Sequence, residues 1–158
     1  MLITPHILLG TALGVAVGNP VAGFALGVAS HYILDAVPHT DSGTWHFYEP
    51  FASHSLDARD FTMGILDAAA AFFGFLALSS VAPIVASGPI AGAIGGALPD
   101  GVMLISLFAP KFNNFPGMKH YNAFVKKFHY TAPPKLWALG IVTQLAVSGV
   151  SIWYLLGS

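Results

Sequence analysis

Five apolar segments account for most of this sequence and leave little freedom in how it folds. They cover about residues 5–18, 20–37, 62–82, 88–108 and 135–156. A helix needs roughly 20 apolar residues to cross a bilayer, where its backbone polar groups must be satisfied internally. The first segment is short for a full span. The sequence therefore predicts an all-α fold, a polytopic bundle of about five transmembrane helices that forms one membrane domain over residues 1–158.

Composition supports a membrane protein and limits the chemistry of any site. Of the 158 residues, 55% are hydrophobic and only 8% are charged, whereas soluble domains carry about 25% charged residues. The chain has no cysteine, so disulfides and thiolate metal sites are excluded, and any metal must bind nitrogen and oxygen ligands. The net charge of -1 argues against nucleic acid as a partner, because phosphate backbones are bound by clustered Lys and Arg.

The basic residues predict how the helices are oriented. With five spans, the N-terminus and two long polar loops, 38–61 and 109–134, lie on one side. The positive-inside rule places this side in the cytoplasm, and all seven histidines with it, which predicts an inner-membrane protein. The first 30 residues lack the features of a signal peptide, so we expect Met1 to begin the mature chain. Six basic residues lie on this side or at its edge: Arg59, Lys111, Lys119, Lys126, Lys127 and Lys135.

Glycines recur at four-residue spacing on two predicted helices, and each series ends at an aspartate. The match predicts two parallel helix hairpins followed by a C-terminal helix. Alternatively, these glycines and those at positions 10, 14 and 18 only let helix backbones approach closely, within this chain, in a homo-oligomer or in a larger membrane complex. The two series, offset by 65 residues, are Gly23, Gly27, His31, Asp35 and Gly88, Gly92, Gly96, Asp100.

The main chemical signal lies at the end of the second apolar segment, where His31, Asp35, His39 and Asp41 follow one another closely. Helical residues four apart share a face, so His31 and Asp35 point the same way. Pro38 is expected to end the helix and to let His39 and Asp41 fold back towards them. Such groups are costly in a membrane and are usually functional. A lone histidine is more often a hydrogen-bonded core residue, but this combination favours a metal site.

Two further histidines are candidate ligands because the predicted topology brings them to the same side. His6 lies in the first turn of the first helix, directly after Pro5. Residues 117–130 are predicted to form a basic amphipathic helix along the membrane surface, where its lysines meet lipid headgroups. His120 and His129 would lie about 180° apart on that helix, so only one can face the site. We favour His129, which is nearer the fifth apolar segment.

Three carboxylates lie inside the predicted spans, namely Asp35, Asp67 and Asp100. An ionised carboxylate near the bilayer centre costs at least ~2.5 kcal/mol, so each requires a compensating partner. Asp100 follows Pro99, and it either joins the polar site or caps a second half-helix after a break at the proline. Asp67 either takes part in catalysis or forms a buried hydrogen bond to a neighbouring helix.

Four short motifs, spread over most of the chain, carry a resemblance to a known family. They are Thr4-Pro5-His6 with Gly10, Ser30-His31 with Asp35 and Pro38-His39, Gly96 with Pro99-Asp100, and Phe128-His129. This arrangement resembles the small bacterial membrane proteins known as predicted membrane-bound metal-dependent hydrolases. The chain departs from that family one turn beyond His129, where a second histidine is expected and Thr131 to Pro134 occur instead. The resemblance implies a polar site built from His6, His31, Asp35, His39, Asp100 and His129.

These residues lead to one principal hypothesis, a membrane-embedded hydrolase that uses a divalent metal. Zinc is expected first, with manganese or iron as alternatives, and the ion would be held by His31, Asp35, His39 and Asp100. The activated water would attack a lipid or phosphoester at the cytoplasmic leaflet, and Asp67 or Asp41 would take the proton. Two alternatives stay open: a non-enzymatic small subunit of a larger membrane complex, and an ion or proton carrier.

Overall fold

The computed structural model describes residues 1–41, 58–132 and 134–158. The loop 42–57, whose His46 and His54 are expected at the membrane interface, lies outside the described residues. Over the described ranges the chain is helical apart from turns and one isolated bridge between His39 and Thr131, so the predicted all-α class is confirmed. The helices are α1 (Ile3–Val17), α2 (Pro20–Ala36), α3 (Ala58–Ser79), α4 (Ser87–Phe108), α5 (Met118–Phe128) and α6 (Trp137–Gly157), with short 3₁₀ turns at Pro110–Asn114 and Pro134–Leu136.

Three of the helices are long and apolar enough to cross a membrane. The spans are Asp60–Ser79 in α3, Ser87–Phe108 in α4 and Trp137–Gly157 in α6. The apolar helix α1 is shorter, with 15 residues, and α2 has 17 residues. Large apolar side chains are exposed on the outer helices, among them Phe72 at 59% and Trp153 at 76%. A surface of this kind is stable in lipid, which agrees with the predicted polytopic membrane bundle.

Glycines set the distances between α1, α2 and α4, which form the centre of the bundle. Gly10 and Gly14 of α1 face Gly92 and Gly88 of α4, backbone to backbone, and Gly27 of α2 also packs on Gly92. A Cβ atom at any of these positions would collide with a carbonyl group of the neighbouring helix. The small-residue stripes therefore serve close helix packing inside this chain.

The repeat noted in the sequence corresponds to a parallel pairing of α2 with α4. Gly23 packs on Gly88 and Gly27 on Gly92, and one turn further on His31 contacts Gly96. The partners are offset by 65 residues in all three pairs, so the two helices run in the same direction and in register. His31 occupies the place in α2 that glycine has in α4, and its ring reaches the backbone of a residue that has no side chain.

The helix α4 continues through Pro99 without a break. The alternative in which the helix breaks there and Asp100 caps a second half is therefore wrong. Proline only removes one intrahelical hydrogen bond at this point, and the surrounding helices hold the segment in place. Asp100 is buried on the side of α4 that faces His31.

Asp67 of α3 caps the N-terminus of α1. Leu2 precedes α1 and supplies no side-chain cap. The Asp67 carboxylate instead accepts hydrogen bonds from the backbone N–H of Ile3 at 2.5 Å and of Thr4 at 3.3 Å, and from the Thr4 hydroxyl at 2.6 Å. Acceptors at a helix N-terminus satisfy otherwise unpaired N–H groups. The carboxylate thus fixes the first turn of α1, which also carries His6.

The last helix holds the segment after α2 against the start of the chain. Gln144 of α6 is buried, and its side-chain amide donates to the carbonyl of Thr40 at 2.7 Å. The oxygen of the same amide accepts the N–H of Leu2 at 3.0 Å. Gly140, one turn earlier, lies against the backbone of Thr40 so closely that a side chain would not fit. These contacts position His39 and Asp41 beside α1.

Candidate metal centre

The structure gathers the predicted ligands into one buried group at one end of the bundle. We call this group the His/Asp cluster. Its side chains come from α1, α2, α4 and the two segments that follow α2 and α5. Its members are His6, His31, Asp35, His39, Asp41, Asp100 and His129, and apart from the partly buried His129 all are buried.

Asp35 lies at the centre of the cluster. Its Oδ1 atom is 3.2 Å from Nε2 of His6. Its Oδ2 atom is 3.3 Å from Nε2 of His31, one helical turn earlier, and 3.2 Å from Nδ1 of His129. One carboxylate therefore contacts three imidazoles that come from three different parts of the chain. The predicted shared face of His31 and Asp35 is present.

Asp41 contacts His39, His129 and Thr131 on the side of His129 that faces away from Asp35. Its Oδ2 atom lies 3.1 Å from Nε2 of His39 and 3.0 Å from Nε2 of His129. The same oxygen accepts a hydrogen bond of 2.8 Å from the hydroxyl of Thr131. The predicted return of the chain after Pro38 does occur, and it is held by backbone pairing in which Ala132 donates to the carbonyl of His39 at 2.7 Å.

Two histidines are held in orientations that leave one ring nitrogen facing carboxylates. The Nδ1–H of His31 donates to the carbonyl of Gly96, and that of His39 donates to the carbonyl of Val37, each at 2.8 Å. A neutral imidazole has one N–H, so the Nε2 atom of each ring carries a lone pair. Both lone pairs point at carboxylate oxygens, an arrangement that is repulsive unless a proton or a metal ion lies between. Metal-binding histidines commonly make this bond to a backbone carbonyl.

His6 is fully buried, and neither of its ring nitrogens forms a hydrogen bond of good geometry within the described part of the chain, although its Nε2 atom lies 3.2 Å from Oδ1 of Asp35. Its ring stacks on that of His31, with the ring centroids 3.9 Å apart. A buried polar group without a partner costs about 1–3 kcal/mol. The ring nitrogens of His6 therefore fit a site in which one of them binds a ligand that supplies the missing interaction.

The groups outside the helices show how strongly the cluster is coupled. Burial by itself would lower the pKa of His129, but its contacts with Asp35 and Asp41 raise that pKa above its ordinary value. Burial would raise the pKa of Asp41, yet hydrogen bonds from His129 and His39 hold the pKa of this carboxyl well below its usual range. Asp41 is therefore ionised at neutral pH, and positive charge is favoured close to it.

Two triads of side chains within the described ranges have the spacing of metal ligands. In each triad one ligand atom from every residue lies within 4.8 Å of the others. The donors are imidazole nitrogens and carboxylate oxygens, which suit zinc, manganese or iron and agree with a chain that lacks cysteine. The inner triad consists of His6, His31 and Asp100, and the outer triad consists of Asp35, His39 and His129.

The amino group of Met1 also belongs to the cluster, where no pattern in the sequence predicts it. Its nitrogen lies 2.6 Å from Oδ1 of Asp35 and 3.2 Å from Oδ1 of Asp41. Thr131 was likewise not anticipated, although its position two residues after His129 is a signal for a shared contact, because alternate residues of an extended segment share a face. The contact is real, since the Thr131 hydroxyl lies 3.1 Å from Nε2 of His129.

Two residues considered with the site lie elsewhere. Asp67 bonds to the first turn of α1, which is the hydrogen bond to a neighbouring helix that the sequence left open as the alternative to catalysis. His120 is exposed on α5, whereas His129 lies just beyond that helix in the cluster.

Comparisons of the chain with family models, with curated proteins and with solved structures found no match. Any function must therefore be argued from the cluster itself.

Proposed function

We propose that this chain is a membrane-embedded metal-dependent hydrolase that acts on a lipid or phosphoester at the cytoplasmic leaflet. The observation that carries this proposal is the orientation of His31 and His39. Each ring is fixed by a bond from Nδ1–H to a backbone carbonyl and directs Nε2 at carboxylate oxygens. A divalent cation at either ring, with zinc expected first and manganese or iron as alternatives, would satisfy its Nε2 atom and the carboxylates around it.

The chemistry of the proposal divides between the ion and the chain. A bound divalent ion lowers the pKa of a water molecule to about 7 and so supplies a nucleophile at neutral pH. Asp41 is the carboxylate placed to take the proton, because it lies in the cluster with its Oδ2 atom 3.0 Å from Nε2 of His129. Asp67 is less suited to this role, because it lies outside the cluster, where its oxygens accept hydrogen bonds from Ile3 and Thr4. Thr131 orients Asp41 through its hydroxyl.

The proposed location of the substrate follows from the surroundings of the cluster. The helix α5 leads directly into His129 and carries exposed lysines at positions 119, 126 and 127. It is joined to the end of α2 by Tyr121, whose hydroxyl lies 3.4 Å from that of Tyr32. Lysines next to a membrane attract anionic headgroups and mark the cytoplasmic side. A headgroup phosphate of the inner leaflet is therefore the substrate chemistry closest to the cluster.

A second candidate function is supported by the position of Met1. Its ammonium group lies between Asp35 and Asp41 and balances part of their charge. In that case the cluster is a buried hydrogen-bond network that stabilises a non-enzymatic subunit of a larger membrane complex. A subunit of this kind needs no metal, so the two functions differ in a quantity that can be measured directly.

The test is the metal content of the protein purified in mild detergent without added metal, measured by elemental mass spectrometry. We expect bound transition metal in the wild type and in His120→Ala, a matched control whose histidine is exposed on α5. Asp35→Ala and Asp35→Asn should lose it, because Asp35 contacts three of the histidines. Absence of metal from the wild type, even after zinc or manganese is supplied, would reject the hydrolase and favour the structural subunit.

A further inference from the structure

We infer that the His/Asp cluster is a two-metal centre in which Asp35 lies between the two ions. One divalent ion would be held by the inner triad and the other by the outer triad. This inference rests on the proposed function and deepens it, since a metal-dependent hydrolase could equally well use a single ion. It follows from the number of ligands, from their division into two groups and from the position of Asp35.

The cluster contains more ligands than one ion of the expected kind can use. A protein-bound zinc ion takes four ligands, and in a catalytic site three of these are side chains. The inner and outer triads share no residue, and together they contain six ligand side chains. Each triad by itself therefore has the number of side chains that one catalytic ion requires.

Each triad also contains its own oriented histidine. In the inner triad His31 is fixed by its bond to Gly96, and in the outer triad His39 is fixed by its bond to Val37. A bond from the second ring nitrogen to a backbone carbonyl fixes the tautomer that can bind a metal. Two independent ligand groups are thus prepared for binding, one that includes Asp100 of α4 and one that includes His39 of the segment after α2.

The inner triad is too open for a direct hydrogen bond between His31 and Asp100. Nε2 of His31 and Oδ1 of Asp100 are 3.9 Å apart, which is too long for a hydrogen bond. Two ligand atoms that are each about 2 Å from one tetrahedral zinc ion are about 3.3 Å apart, so a small closure of the two side chains would let them share an ion. His6 completes this triad, and neither of its ring nitrogens forms a hydrogen bond of good geometry within the described residues.

Asp35 connects the two groups. Its Oδ1 atom approaches His6 of the inner triad, and its Oδ2 atom lies between His31 of the inner triad and His129 of the outer triad. A carboxylate that contacts both ligand sets is placed to bridge two ions. Within the described residues, the charge partners of Asp35 and Asp100 are histidines and the Met1 amino group, so these carboxylates favour positive charge close to them.

The test measures metal stoichiometry in the full-length protein. The chain is purified in detergent, loaded with Zn²⁺ or Mn²⁺, freed of excess metal and analysed by elemental mass spectrometry with amino-acid quantification. We expect two ions per chain in the wild type and in the His120→Ala control. His6→Ala, in the inner triad, and His39→Ala, in the outer triad, should each retain one ion, and the double variant should retain none.

A second measurement does not depend on variants that fold poorly. Two manganese ions that share a carboxylate are magnetically coupled, so Mn²⁺-loaded wild type should give the paramagnetic resonance spectrum of a coupled pair. One ion per chain, with the spectrum of an isolated ion, would overturn the two-metal centre and leave the proposed hydrolase intact. Absence of any bound metal would overturn both.

Discussion

At the level of single residues, Asp35 and Asp67 have different partners, although both are predicted from the sequence to lie inside membrane spans. Asp35 contacts His6, His31 and His129 and lies in the middle of the cluster. Asp67 bonds to backbone N–H groups at the start of α1. Each carboxylate has compensating partners, as the cost of removing it from water requires. The partners differ in kind, and they indicate a chemical role for the first and a structural role for the second.

The capping role of Asp67 gives a prediction about stability. Asp67→Ala should lower the free energy of unfolding by about 0.5–2 kcal/mol, the usual cost of losing an N-cap, because the first turn of α1 loses its acceptors. The metal content per folded chain should stay unchanged. Thermal unfolding in detergent, followed by circular dichroism, measures the first quantity and elemental analysis the second. A variant that unfolds like the wild type yet loses all hydrolytic activity would instead assign Asp67 to catalysis.

At the scale of helices, the depth and spacing of the cluster depend on glycine contacts between α1, α2 and α4. Because Gly10 and Gly14 of α1 pack directly on α4, the backbones approach closely and bring His6 next to His31. The parallel register of α2 with α4 pairs His31 with Gly96. Asp100, one turn after Gly96 in α4, therefore lies near His31. The glycine stripes and the polar cluster are thus parts of one arrangement rather than separate features.

The same packing predicts a contrast between two glycine-to-alanine substitutions. A Cβ at position 92 would collide with the backbone of Gly10, whereas one at position 149 of α6 has no neighbour within 4 Å. Gly92→Ala should therefore destabilise the protein by about 1–3 kcal/mol through overpacking, and it should weaken metal binding by separating α1, which carries His6, from α4, which carries Asp100. Gly149→Ala should be neutral or stabilising by up to about 1 kcal/mol. Equal unfolding temperatures for the two variants would contradict the close packing of α1 and α4.

At the scale of the whole molecule, an apolar bundle carries one polar cluster at one end, beside a lysine-bearing helix. The outer faces of α3 and α6 expose large apolar side chains, such as Ile65 and Leu145, and α5 exposes its lysines. In this position the proposed reaction centre would meet molecules that arrive along the membrane surface. The proposed two-metal centre would suit in-line displacement at a phosphorus atom, which favours phosphoesters over carboxylic esters.

This arrangement predicts activity against phosphoesters and a preference for the lipid form. Metal-loaded protein in vesicles should release inorganic phosphate from phosphatidate. The rate should be at least about 100-fold lower in Asp35→Ala, because Asp35 belongs to the outer triad and also contacts His6 and His31 of the inner triad. A soluble phosphomonoester serves as the comparison and should react more slowly if the membrane delivers the substrate. Phosphate release that is equal in the wild type and Asp35→Ala would identify a contaminating phosphatase.

The helical membrane fold and the types of candidate metal ligand could be predicted from the sequence, because apolar length and four-residue spacing act within a single helix. His31 and Asp35 share a face for that local reason, and helical spacing also showed that His120 and His129 could not both face the site. The continuity of α4 at Pro99, the capping of α1 by Asp67 and the division of the candidate ligands into two triads became visible in the tertiary structure alone. These outcomes depend on contacts between segments distant in the chain, where glycine backbones meet and buried polar groups must find partners, and no local pattern records which partner each group finds.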